Sequence, residues 1–403
     1  MRRLSAGALC LGLLWMASAS AQDRLDVTAE ADLRWVAASG APSYLNGGEG
    51  LLRFDPDHED LRLGYVLLDA RLRLTDTLSA HVVADAYGDH DRNVVDLSEA
   101  YLQWRPFPTS AIRWSAKAGA FFMPVSLENR GPGWTDVYTI TPSALNTWIG
   151  EEFRTIGTEF EARWLGATQG YLGDVALIGA ICGWNDPAGE LLADRGFGLT
   201  DRPSTLFGGI GEPPEEAYHE VDRKPGYYGG LSWRHHDWLE LRALRYDNRA
   251  DPYAWTSTAY AWHTRFSSLG ARLEPTEHWS FIAQYLDGST STTADSVTDS
   301  LFVMNYRTAF ALASFEQQRE RFTVRYDDFQ THQVSGYYGL PPNELGHAWT
   351  LGWMHEFGHG WTSAAEWIRA TSRFPPRAEY DESVGLIESQ LQLAVRYRIH
   401  GSL

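Results

Sequence analysis

The sequence has almost no lysine and almost no cysteine. Lys117 and Lys224 are the only lysines among 34 basic residues, so the rest are arginine. Arginine stays charged at any physiological pH and presents a planar fork, which suits basic sites of fixed geometry. The cysteines are Cys10 and Cys182, and Cys10 lies in an N-terminal apolar stretch that export would remove. The mature chain then has no internal disulfide and must be stable by another route. No apolar run of ~18–20 residues follows the N-terminus, which excludes a bundle of membrane-spanning helices. Positive charge is in short supply too: the formal charge is −18. A nucleic-acid partner, which needs a basic face, is therefore excluded.

Aromatic side chains and glycine, by contrast, are abundant, with 17 Trp, 19 Tyr, 17 Phe and 37 Gly. That much aromatic surface does not stay solvated, so a disordered chain is excluded. Residues 1–21 read as a signal peptide, with Arg2 and Arg3, an apolar stretch from Ala6 to Met16, and Ala19-Ser20-Ala21 as the cleavage signal. Export through a cleaved leader is expected, leaving residues 22–403 as the mature chain.

From Asp23 onward the dominant pattern is alternation with period 2. Val27, Ala29, Ala31, Leu33 and Trp35 share one face of the first segment, while Thr28, Glu30, Asp32 and Arg34 share the other. The last segment repeats this, with Leu391, Leu393, Val395, Tyr397 and Ile399 against Gln390, Gln392, Arg396, Arg398 and His400. Segments near 171–184, 259–274 and 300–316 alternate poorly and are placed by spacing. Strands of ten residues and more exceed the ~5–6 typical of a soluble sandwich and match the ~9–11 that cross a membrane.

Sixteen such segments can be placed, and the connections between them alternate in length. Short turns such as Asp76-Thr77, His236-Asp237 and Gly358-His359-Gly360 take turns with long loops such as 125–151, 185–226 and 331–346. An even strand number with short turns at one end and long loops at the other is the plan of an outer-membrane barrel. The expected fold is all-β: a closed antiparallel transmembrane β-barrel of about 16 strands over residues 22–403. Within it, 125–151 is the candidate constriction loop, folded inward, and 185–226 a long outer loop remote from the constriction.

The strand ending Gly119-Ala120-Phe121-Phe122 leads into Met123-Pro124-Val125-Ser126-Leu127-Glu128, followed later by Trp148-Ile149-Gly150-Glu151-Glu152 and by RTIGTE from Arg154 to Glu159. This run, within about residues 110–165, resembles the phosphate-selective porin O and P family of Gram-negative outer membranes. The resemblance implies sixteen strands, a usually trimeric assembly and a third loop that folds inward as the constriction.

The polar faces supply the candidate pore lining: Arg71, Arg73, Arg113, Lys117, Glu159, Glu161, Arg163, Arg396 and Arg398. Glu128, Arg130, Trp134, Asp136, Tyr138 and Trp148 are the candidate residues of the constriction loop. Charges of both signs around a narrowed pore order water and raise the barrier to apolar solutes. Because fixed charges are screened beyond ~8 Å at physiological salt, the wall residues rather than the net charge should decide selectivity. Arg113, Lys117 and Arg163 against Glu159 and Glu161 give an expected weak anion preference.

Catalytic motifs fare worse. His355-Glu356-Phe357-Gly358-His359 fits H-E-x-x-H, but its surroundings alternate as a strand, where residues four apart are separated by ~13 Å and cannot share one zinc. Glu151-Glu152, Glu215-Glu216 and Asp327-Asp328 are adjacent, and on a strand adjacent side chains point to opposite faces. No metal, cofactor or catalytic residue is assigned. The expected function is that of a porin passing small hydrophilic solutes or ions, embedded in outer-membrane lipid as a homotrimer. The alternatives are a barrel-type outer-membrane hydrolase, and a sugar-preferring channel with Trp134, Tyr138 and Trp148 as a stacking track.

Overall fold

The computed structural model describes residues 24–89, 95–210, 217–293, 300–336 and 339–403; the expected signal peptide lies outside them. Sixteen strands form one closed antiparallel barrel. They are β1 (Leu25–Ser39), β2 (Asp60–Arg73), β3 (Leu78–Ala86), β4 (Val95–Trp104), β5 (Ile112–Phe122) and β6 (Arg154–Trp164). Next come β7 (Asp174–Gly183), β8 (Gly226–His235), β9 (Leu239–Asp247), β10 (Arg265–Leu273) and β11 (Trp279–Thr292). The last are β12 (Phe302–Gln317), β13 (Glu320–Ser335), β14 (Leu345–Gly358), β15 (Trp361–Arg373) and β16 (Gly385–Ser402). Each strand pairs with its neighbours in sequence, and β1 closes the ring on β16, from Asp26 opposite Ser402 to Ser39 opposite Ser389. Closure leaves no strand edge unpaired, which a membrane requires because it offers backbone groups no other partner.

Arg24 and Leu403 meet at the end of the barrel that carries the short turns, where Arg24 N donates to Leu403 O at 2.7 Å. The opposite end carries the long loops, among them loop 1 (40–59), loop 3 (123–153) and loop 4 (184–225). Period-2 alternation sorts each strand between two faces. The outward face exposes Leu33 and Trp35 on β1, Leu391, Leu393 and Val395 on β16, and Trp104, Trp279, Trp349 and Trp361 elsewhere. An apolar band with aromatic residues towards its rims is what lipid contact selects.

The inner face is less uniform. On β1 it carries Glu30, Asp32 and Arg34, all buried, whereas on β12 it carries Phe302, Met304, Tyr306, Phe310 and Leu312. These β12 residues belong to a large apolar cluster in the long-loop half, built with parts of loops 1, 3 and 4. Loop 3 contains helix α1 (Ala144–Glu152), whose nine residues are all buried. Loop 4 contains a short helix, α2 (Glu190–Arg195). Two wall glycines give these parts room. A Cβ on Gly270 would stand 2.8 Å from the Leu127 side chain of loop 3, and one on Gly64 would stand 2.5 Å from the Arg34 guanidinium.

Candidate functional site

Loop 3 is tied to inner-face residues of five strands, and the ties run from its start to the first turn of α1. Arg242 of β9 donates to the carbonyls of Pro124 (2.9 Å) and Ser126 (3.1 Å). On β11, Gln284 accepts from Leu127 N at 2.9 Å and donates to Val125 O at 2.9 Å. Glu366 of β15 accepts from Ile140 N at 2.7 Å and from Thr141 N, and Gln392 of β16 donates to Thr141 Oγ1 at 3.2 Å. These backbone groups belong to a loop, so without such partners they would stand buried and unpaired.

Arg325 of β13 is the hub of the attachment and has no exposed surface. Its Nε donates to Asp327 at 2.8 Å, and its two terminal nitrogens donate to Thr139 Oγ1 (2.9 Å), Thr141 O (2.8 Å), Pro142 O (2.9 Å) and Thr350 Oγ1 (3.2 Å). Glu128 and Asp136 lie 3.7 and 3.8 Å from it. Burial and the neighbouring Glu128 charge push Asp136 well above its ordinary value. The other carboxylates organise α1. Ser143 caps the helix at Asn146 N, Glu128 accepts from Ser143 N at 2.7 Å, and Asp327 accepts from Ala144 N at 3.0 Å. Acidic groups at a helix N-terminus also match its dipole.

Loops 4 and 1 dock against the same interior. Arg34 of β1 bridges Asp32 at 2.7 Å and Asp201 of loop 4 at 2.6 Å, while Arg53 of loop 1 holds the other oxygen of Asp201 at 3.0 Å. Burial opposes ionisation of Asp201, but the two guanidinium groups outweigh it and hold the carboxyl well below its usual range. Glu152, at the end of α1, accepts from Gly189 N (2.8 Å) and Leu191 N (3.2 Å) at the start of α2. Burial nonetheless lifts Glu152 to about 7. Glu151 turns elsewhere, to Arg195 and the Tyr44 hydroxyl.

The expected pore-lining charges fall into two groups. Arg113, Lys117, Glu159, Glu161 and Arg163 share the inner face of adjacent β5 and β6, with Arg113 opposite Arg163 and Lys117 opposite Glu159. Arg163 pairs with Glu161 at 2.9 Å and Lys117 with Glu159 at 3.6 Å. Among the described residues Arg113 has no carboxylate within ion-pair distance, so it is the unneutralised member of the group. Arg71 and Arg73 are exposed near the short-turn end of β2. Arg398 keeps half its side chain exposed while pairing with Glu30. Arg396, by contrast, is buried against Asp32 at 2.6 Å. Its partner and burial make it part of the wall rather than a charge facing solvent.

Several expectations about the loops need correction. Glu128, Asp136, Tyr138 and Trp148 are buried, so they present no surface to a solute. Trp148 packs against Phe153 (4.7 Å between ring centroids), Tyr306 (4.8 Å) and Phe197 (5.9 Å), which removes it from any stacking track. Trp134 is half-buried and stacks on Phe122 at 4.3 Å, and Arg130 stays exposed 3.7 Å from Glu274. Loop 4 does not stand clear of the constriction loop: Arg195, Asp201 and Ser204 are buried against loops 1 and 3 or the wall. Glu212, Glu215 and Glu216 of that loop lie outside the described residues. Glu151 and Glu152 sit on a helix rather than a strand, and still face different partners. The anchors Arg325, Asp327, Gln284, Glu366 and Gln392 escaped the sequence reading as anchors, although alternation places each on an inner face. The H-E-x-x-H segment is strand β14 and the turn after it, and His355 Nδ1 lies 2.6 Å from Glu320.

The fold defines a sixteen-stranded closed antiparallel β-barrel of porin architecture. No family model and no curated protein matches the chain. Solved structures match it in shape. The outer-membrane channel DcaP of Acinetobacter baumannii has a TM-score of 0.55 at 10% identity, covering 93% of this chain and 96% of its own. OmpF of Salmonella typhi gives 0.54 at 12%, with 94% and 98% covered, and an anion-selective porin from Comamonas acidovorans gives 0.55 at 9%, with 93% and 99% covered. At such identities the likeness is one of fold.

Proposed function

We propose that this chain is a passive porin of the Gram-negative outer membrane, without catalytic turnover, that conducts small hydrophilic solutes and ions. It is made with a signal peptide over residues 1–21 and assembles as a homotrimer in outer-membrane lipid. The observation that carries this reading is the attachment of residues 124–144 to inner-face side chains of β9, β11, β13, β15 and β16. A loop tied across a barrel narrows it, so 125–151 is the constriction. Loops 1 and 4 share the interior with it, which makes the passage tight and the single-channel conductance small. The open side of the passage runs along β5 and β6. There, two ion pairs and Arg113, which has no carboxylate at ion-pair distance among the described residues, leave one net positive charge on the wall, and charges this local rather than those screened beyond ~8 Å set selectivity. The result is a weak preference for anions, in keeping with the resemblance of the Phe122–Glu128 run to phosphate-selective porins.

Reversal potentials across a planar bilayer in a KCl gradient test this directly. The wild-type pore should favour chloride slightly, and Arg113→Gln/Lys117→Gln should move the potential toward potassium. A strongly potassium-selective wild type, or a double variant indistinguishable from it, would overturn the anion reading. A barrel that inserts without conducting would overturn the porin reading itself.

A further inference from the structure

The outward wall of β9–β13 breaks the pattern of the rest of the barrel. Register lines up Arg245, Ser267, Asp287, Arg307 and Gln330 as one row across five strands, all on the face opposite the core. The next row towards the long-loop end carries Asp247, Arg265, Ser289, Asn305 and His332, with Asp247 turned to His263 at 3.0 Å. All of these but Ser267 and Asp247 line a concavity of about 410 Å³ in which Asp287 is the one carboxylate among the described lining residues. Arg245 and Arg265 are held by hydroxyls, Ser267 at 3.0 Å and Ser289 at 3.3 Å. None of the three arginines has a carboxylate within ion-pair distance among the described residues. Three guanidinium groups around a hollow with one carboxylate leave an excess of positive charge on a wall that faces lipid, and an anionic partner would balance it.

The height of the patch and the groove beneath it identify that something. Same-face residues on one strand are ~6.8 Å apart, and at a tilt of ~40° Arg307 stands ~20 Å above the aromatic row of Trp279 and Phe315, near the far rim of an apolar band ~25 Å tall. This is headgroup level at the long-loop end. Directly below, Leu241, Ala243, Leu269, Ala271, Ala283 and Ala309 line an apolar groove of about 620 Å³, and Tyr285 borders both hollows. The small side chains make the groove, and its position continues the polar hollow into the hydrocarbon layer.

We propose that this wall is a binding site for an acylated lipid of the outer leaflet whose headgroup carries a phosphomonoester. Arg245, Arg265 and Arg307 hold the phosphate, and an acyl chain lies in the alanine-lined groove. The fork of a guanidinium matches phosphate oxygens, and three of them around one hollow favour a dianion over a zwitterionic headgroup. The site rests on the reading that the barrel stands in a lipid bilayer with its long loops outside. It does not depend on what the interior conducts, and a barrel that passes no ions would still keep the lipid.

Native mass spectrometry of the detergent-solubilised protein, titrated with dioleoyl phosphatidic acid or dioleoyl phosphatidylcholine, tests the proposal. Phosphatidic acid should be retained about tenfold more tightly, a difference that Arg245→Gln/Arg307→Gln abolishes. Ala309→Trp, which fills the groove and leaves the arginines in place, should also weaken retention. Inorganic phosphate at the same concentration should not compete. Equal retention of the two lipids, or a double variant that still discriminates, would overturn the site. Full competition by inorganic phosphate would overturn the amphiphile in favour of a plain anion site. A wall covered by a second copy of the chain would show instead as loss of the oligomer in the double variant with no lipid discrimination, which also defeats the proposal.

Discussion

Arg325 is the residue whose loss should tell most about the interior. Replacing it with methionine keeps an unbranched side chain, shortened by the guanidinium end, and removes its charge together with five hydrogen bonds, to Asp327, Thr139, Thr141, Pro142 and Thr350. Asp327 and Glu128 are then left in a region with no exposed surface and without their nearest cation. Removing one partner from a buried ion pair costs about 3–5 kcal/mol, against less than about 1 kcal/mol for an exposed pair. Urea unfolding of the protein refolded into lipid vesicles should therefore show a lower midpoint at unchanged slope. The same variant loses the wall's hold on residues 139–142, so single-channel current should become larger and noisier. Adding Asp327→Asn removes one orphaned charge, and the double variant should lose less than the two single losses added together. A single variant within about 1 kcal/mol of wild type and with unchanged current noise would refute the argument. In that case the packing of α1 alone holds the loop.

Two further outcomes follow from the loops and from β14. Burial and the nearby Glu382 raise Glu49 of loop 1 from 4.5 to about 8, so the folded state holds a proton that the unfolded chain has released. Stability is undiminished below the unfolded value and falls as pH climbs from there through about 8. Glu49→Gln should thus be silent at pH ~4 and protective at pH ~9, read as the rate of proteolytic cleavage within loop 1, and equal protection at both would contradict the assignment. Glu356→Gln should change stability by no more than about 0.5 kcal/mol and leave conductance alone, because residues on a strand cannot complete a zinc site at this spacing. Stoichiometric zinc in the purified protein, lost in that variant, would sink the strand argument.

The places where alternation failed in the sequence have a physical cause in the fold. Segment 300–316 reads poorly because much of β12 is apolar on both sides: Ala309, Ala311 and Ala313 face outward, while Met304, Tyr306, Phe310 and Leu312 face the packed interior. A water-filled interior would have kept the second face polar, as it is on β5 with Arg113, Ser115 and Lys117. The unusual strand was therefore a sign of what fills the barrel, but the sign was legible only once the loops had been placed.

The barrel itself was determined by the sequence alone. Side-chain alternation is a local property of an extended chain, turn length needs no partner to be counted, and closure follows when every strand pairs with the next. Which inner-face charges meet solvent was decided only by tertiary structure. Arg34 and Arg113 both project from the inner face by the same alternation, yet Arg34 is sealed by Asp201, 167 residues away, and Arg113 is not. Gln392 likewise meets Thr141 across 251 residues of chain. A period of two sorts residues between faces of a wall; it carries no information about which distant loop returns to cover one stretch of that wall and leaves another open.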